Sequence, residues 1–127
     1  MIEITLVFEG GSRGNPGAGF GRYAIIKGNQ RTVTHLEFGG TMTTPEAEYD
    51  TLITALETLV HQERASETAL TIQGSSQLVV NQLKGIWRTR EVRLRHRFDR
   101  VSDLLGQFRS VRLSRIPRER VTRLLKH

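Results

Sequence analysis

Ile2, Ile4, Leu6 and Phe8 fall on one side of an extended chain, and the centre of that run is apolar on both sides. The stretch 2–9 therefore predicts a strand buried on both faces. Stretches 20–27 and 31–38, parted by Gly28-Asn29, predict two more strands in an antiparallel meander, with a loop over 10–19. The period changes at "TTPEAEYDTLITALETLVHQER", where Leu52, Ile53, Leu56, Leu59 and Val60 recur at helical spacing. Thr44 suits the N-cap, Pro45 the first turn, and Glu46 and Glu48 the positive end of the helix dipole. "ALTIQG" (69–74) predicts a fourth strand, and 75–85 a short helix opened by a serine cap. A further helix is expected over 92–108 with Val101, Leu104, Leu105 and Phe108 inward. Stretch 110–116 predicts a last strand stopped at Pro117, followed by a short helical tail over 118–127. Helical connections make the later strands parallel to the first. The expected α/β fold is a mixed five-stranded sheet, three antiparallel strands and then parallel ones, flanked by helices. No repeat or linker divides 1–127, so one domain is expected.

Composition narrows the function classes. With 127 residues, 37% of them hydrophobic, the chain can build a modest core. The absence of Cys excludes a disulfide framework and a thiolate metal site. No apolar stretch approaches the ~20 residues of a membrane span. The start "MIEITLVF" lacks the features of a signal peptide, so no membrane association and cytoplasmic residence are expected. Charge is divided unevenly. Residues 1–83 hold 5 Lys+Arg against 9 Asp+Glu (−4), and residues 84–127 hold 14 against 4 (+10), which together give +6. Twelve of those fourteen cations are Arg, whose planar fork suits phosphate. A nucleic-acid partner accounts for this better than a solvated surface, which ordinarily mixes the two signs. Arg88, Arg90, Arg93, Arg95 and Arg97 are spaced so that a helix would spread them around its circumference. The four His residues (His35, His61, His96 and His127) have no metal-ligand spacing.

In such a sheet, ligands gather at the carboxyl ends of the strands. Glu9 ends the first strand beside a glycine-rich turn, Ser75 follows the fourth, and Pro117 to Glu119 follow the fifth. Glu48 lies on the buried stripe of the first helix, one turn in from its start. A carboxylate there needs a metal, a cation or a hydrogen-bond set. The residues alone leave open whether it is functional or simply held by the helix dipole and backbone amides.

"FEGGSRGNPGAGFG", "EAEYDTLITALETL", "SSQLVVNQLKGIW" and "VRLSRIPRE" occur in an order that resembles the type 1 ribonuclease H family, in its compact bacterial and archaeal branch. The resemblance runs from about residue 4 to residue 120. It implies a ribonuclease H-like fold, an RNA/DNA hybrid as substrate, and cleavage of the RNA strand by two divalent ions, Mg²⁺ or Mn²⁺, held on four carboxylates. The family's carboxylates run Asp, Glu, Asp, Asp. The resemblance assigns the first two metal and catalytic positions to Glu9 and Glu48. Ser75 stands at the third, and no Asp or Glu follows Glu119 to supply the fourth. The family carries Glu at position 119 as a non-ligand, and Asp50 is expected to face away around the helix. Substrate contacts fall on Gly11, Ser12, Arg13 and Asn15, with Gln77 near the DNA strand. Thr44 and Pro45 replace asparagines the family usually carries before the first helix. The expectation is a domain that binds RNA/DNA hybrid or a related duplex, with nuclease activity lost or very weak. The alternative is an active metal-dependent hybrid endoribonuclease with an atypical site. No particular protein partner is indicated, and Trp87 is expected to pack between helices.

Overall fold

The computed structural model describes residues 1–126. Five strands form one sheet in the order β3-β2-β1-β4-β5. They are β1 (Ile2–Arg13), β2 (Gly17–Lys27), β3 (Gln30–Met42), β4 (Thr68–Gly74) and β5 (Ser110–Arg115). β1, β2 and β3 run antiparallel in sequence, and β4 and β5 are parallel to β1. The helices are α1 (Thr44–Gln62), α2 (Gln77–Leu83), α3 (Val92–Leu105) and α4 (Arg118–Leu124). No described helix is long and apolar enough to cross a membrane.

β1 is the axis of this arrangement, and its centre is buried on both faces. Leu6 and Phe8 join one core with Tyr23, Leu70 and Ile72, covered by Tyr49, Leu52, Leu56 and Leu59 of α1 and by Val101 and Leu104 of α3. Val7 and Ala24 point the other way, under Val121 and Leu125 at the α4 end. Arg31 holds that end down by donating to the carbonyls of Leu124 and Lys126, a favourable place for a cation at a helix C-terminus.

The structure corrects several boundaries. The stretch 10–19 is not a loop. β1 continues to Arg13 and β2 begins at Gly17, so Gly10 to Arg13 pair with Ala18 to Gly21 in an extended hairpin. β3 likewise reaches Met42. The α1 cap is Thr43, not Thr44. Its hydroxyl accepts from the Glu46 amide, and the Glu46 carboxylate accepts from the Thr43 amide at 2.9 Å, a complete capping box. α3 stops at Leu105, and Trp87 is 42% exposed rather than packed between helices.

α1 lies almost in contact with the sheet backbone. A Cβ on Gly10 would stand 2.5 Å from the Glu48 amide nitrogen, and one on Gly21 would stand 1.8 Å from Thr51 Oγ1. Both neighbours in the hairpin must therefore be glycine for α1 to seat at this depth. Gly10→Ala is expected to lower unfolding stability by about 2–3 kcal/mol in urea titration, because the helix backbone must move away. Gly40→Ala, where an added Cβ meets nothing within 4 Å, is expected to stay within about 0.5 kcal/mol of the parent.

Candidate nucleic-acid interface and active-site cavity

The carboxyl ends of β1, β4 and β5 and the start of α1 meet at one cavity of about 360 Å³. Glu9, Glu48, Ser75, Ser76, Arg115 and Arg118 line it. All three strand-end pointers in the sequence thus converge, and Glu48 of α1 reaches them because Gly10 lets the helix approach. Among Pro117 to Glu119, the cavity is lined by Arg118, while Glu119 is exposed on α4 and outside the lining.

Glu9 does not face the cavity as a free anion. The hairpin register sets it opposite Arg22, whose Nε and Nη2 both lie 2.6 Å from Glu9 Oε2. Both side chains are about three-quarters buried, so their charges attract more strongly than at an exposed pair. Glu48 is half-buried and accepts a hydrogen bond of 3.0 Å from Ser76 Oγ. The same serine caps α2 by accepting from the Val79 amide at 3.2 Å. α2 is further fixed to α1 by a buried bond of 2.6 Å from the Tyr49 hydroxyl to Gln82 Oε1. Burial pushes the Glu48 carboxyl from the ordinary 4.5 up to about 7, against the opposing pull of Ser76 and the Arg118 charge. Arg115 donates through Nε to the Ser75 carbonyl at 3.2 Å. Among the described residues, no group of three or more His, Cys, Asp or Glu side chains could hold a metal ion.

The matched family model carries the description "Reverse transcriptase-like" and spans residues 8–123. The ribonuclease HI of Halobacterium salinarum is 36% identical over 119 residues. The chain belongs to the type 1 ribonuclease H family. That alignment takes in 91% of this chain and 57% of the relative. A bifunctional protein of Mycobacterium tuberculosis is 30% identical over 95% of this chain and only 33% of its own length. The chain therefore spans about half or less of the curated relatives it matches. Solved ribonuclease H structures superpose over nearly all of it. The N-terminal domain of the M. tuberculosis protein gives a TM-score of 0.84 at 28% identity, covering 94% of this chain and 91% of that one. The Halobacterium salinarum enzyme gives 0.82 at 31%, covering 95% and 90%. LC11 ribonuclease H1, solved in complex with an RNA/DNA hybrid, gives 0.80 at 25%, covering 94% and 89%.

The β1–β2 hairpin carries the other sequence candidates except Gln77, each in a distinct setting. Gly11 packs its backbone against Phe20, where a Cβ would meet the ring at 2.7 Å. The Ser12 hydroxyl is buried and has no partner among the described residues. Arg13 forks onto Glu37 at 2.8 and 3.2 Å and lies over the Phe20 ring. Asn15 accepts from the Thr44 amide at 3.0 Å, satisfying one of the free amides at the start of α1. Gln77 opens α2 and is exposed. None of these residues is part of the cavity lining. Asp50 faces α3, where it pairs with Arg97 at 2.7 Å; it stays away from the cavity. Of the expected surface histidines, His61 and His96 are exposed; His127 lies outside the described residues.

Sequence reasoning missed Arg22, Arg115 and Arg118. The first was within reach, since a hairpin closing at Asn15-Pro16 sets residue 22 opposite residue 9. The other two depended on how β5 and α4 meet around Pro117.

The Glu48 shift has a stability consequence. The folded carboxyl keeps its proton to a higher pH than the unfolded chain does. Stability from that proton is intact below about pH 4.5 and is lost as pH rises through about 7. Glu48→Gln retains an acceptor for Ser76 and removes the titration. In urea unfolding it is expected to match the parent near pH 5 and to exceed it by about 2–3 kcal/mol at pH 8. An equal gain at both pH values would assign the effect to packing instead.

Proposed function

We propose that this chain is a nucleic-acid-binding domain that recognises RNA/DNA hybrid or a related duplex, with metal-dependent cleavage lost or very weak. The observation that carries the reading is the pairing of Glu9 with Arg22 at the position where the family places its first metal carboxylate. Mg²⁺ and Mn²⁺ demand several well-placed oxygens at close range. The donor set here does not fit an ion pair. Glu9 is engaged by a guanidinium, Glu48 is half-buried with a raised affinity for its proton, Ser75 is neutral, and the other charged groups of the lining are arginines.

Binding is supported from the other side. Arg13 and Asn15 are exposed at the hairpin end, and Asn15 bonds the amide of Thr44, a residue of the cavity lining. Arg13 is held by an exposed ion pair, which binds weakly enough for a phosphate to compete. Gln77, exposed at the start of α2, is available for the DNA-strand role proposed for it. The Arg-rich second half supplies the electrostatic attraction. We take 1–127 as one such domain and its compartment as the cytoplasm.

The second reading, an active metal-dependent endoribonuclease with an atypical site, draws support from Glu9 and Glu48 sharing one cavity and from the names of the relatives. Cleavage of a labelled RNA/DNA hybrid in Mg²⁺ and in Mn²⁺ separates the two, with Glu48→Gln as control. The expected result is no cutting above the control, together with binding whose log K falls steeply with log salt. Metal-dependent cutting that Glu48→Gln abolishes would establish the second reading. Hybrid affinity that is absent, or indifferent to salt, would remove the first.

A further inference from the structure

The cavity lining sets two guanidinium groups, Arg115 and Arg118, beside two carboxylates, Glu9 and Glu48. Glu9 is already paired with Arg22, which lies outside the lining. With Arg22 counted the formal sum is +1, and Arg115 and Arg118 are the uncommitted cations. Arg118 makes no hydrogen bond or ion pair among the described residues, although it lies near enough to Glu48 to bias that carboxyl. Arg115 spends only its Nε, on a backbone carbonyl, leaving the terminal nitrogens of the fork.

Both arginines are also held on rigid supports. Arg115 ends β5 in register with Gly74 of β4, Ile116 anchors the chain in the second core, and Arg118 opens α4 directly after Pro117. The carboxylates do not cancel them. Glu9 is neutralised by Arg22 across the hairpin, and Glu48 is turned to Ser76. What remains is a cavity of about 360 Å³ lined by two guanidinium groups together with Ser75 and Ser76.

We propose that this cavity is a metal-free phosphate seat, in which Arg115 and Arg118 grip one backbone phosphodiester directly. Guanidinium forks match phosphate oxygens in pairs and form shorter, stronger hydrogen bonds than neutral donors do. A divalent ion entering the same place would meet two guanidinium groups and a carboxylate already paired with Arg22. The choice of nucleic acid as the source of that phosphate rests on the function proposed above, whereas the anion preference of the cavity does not.

Two measurements separate those layers. In the first, inorganic phosphate is titrated in EDTA, at ionic strength matched with chloride, while backbone and arginine Nε–H signals are followed by NMR. The expected result is saturable shifts at Ser75, Ser76, Arg115 and Arg118 that disappear in Arg118→Gln, a change that breaks no internal hydrogen bond. Shifts no larger than chloride produces would overturn the seat. In the second, a short RNA/DNA hybrid is bound in EDTA over a range of salt. Arg115→Gln/Arg118→Gln is expected to weaken binding about tenfold or more and to reduce the salt slope by about 2. Arg123→Gln, exposed on α4 outside the cavity, serves as the control for general charge. Unchanged affinity and slope in the double variant, or tighter binding on adding Mg²⁺ at matched ionic strength, would overturn the proposal. Phosphate shifts without hybrid binding would leave the seat standing and remove the proposed function. Hybrid binding without them would do the reverse.

Discussion

The near-contact of α1 with the glycines of the hairpin sets the position of everything at the carboxyl edge of the sheet. Two residues without side chains, Gly10 and Gly21, let a helix backbone come within van der Waals range of strand backbone. That depth brings Glu48 beside Glu9, although the two belong to different elements and are far apart in sequence. The capping box at Thr43 and Glu46 fixes where the helix begins, and hence which turn faces the cavity. Arg97 of α3 then braces the same turn by pairing with Glu46 and Asp50. The Thr43 amide, chiefly, and Arg97 hold the Glu46 carboxyl below the ordinary carboxylate range. Two acidic residues, two positions apart on one helix, thus titrate in opposite directions because one is fully hydrogen-bonded and the other mostly desolvated.

α2 depends on this arrangement more than on itself. Seven residues are too few for a stable helix in water, and the sequence "SSQLVVNQL" supplies only an apolar face and a cap. Tyr49 and Glu48 reach across from α1 to Gln82 and Ser76, so the short helix is held at both ends by its longer neighbour. The Ser76 hydroxyl thereby joins the geometry of a helix start to the ionisation of the carboxylate in the cavity.

Much of this was legible in the residues. Alternation located the first strand and short turn-bounded runs the others, the i, i+3, i+4 stripe located α1, and the helical links gave the parallel half of the sheet. Boundaries failed where tertiary pairing overrode local character. Gly10 to Arg13 look like a loop by composition, yet they pair with β2 because the glycines are needed under α1 rather than for a turn. The cap was displaced by one residue because both Thr43 and Thr44 can cap, and only Glu46, three residues on, selects the former. The cavity was half readable. Glu9, Glu48 and Ser75 lay where strand ends and a buried stripe pointed, whereas the arginines facing them are polar surface residues in sequence and acquire meaning only from register. Trp87 was misplaced for a related reason: a large apolar ring suggests burial, but Ile86 and Trp87 both lie exposed.

The Glu9–Arg22 pair has a consequence for how such a site could change. An aspartate introduced at position 75 would arrive beside Arg115, whose fork already leans on the Ser75 carbonyl. It would form a new ion pair before it met any incoming cation. Removing Arg22 alone would leave Glu9 partly buried without its counter-charge. Each single step toward a metal centre is thus opposed by the neighbours already in place, and only a concerted replacement escapes the penalty. The charges now in the cavity oppose each of these changes.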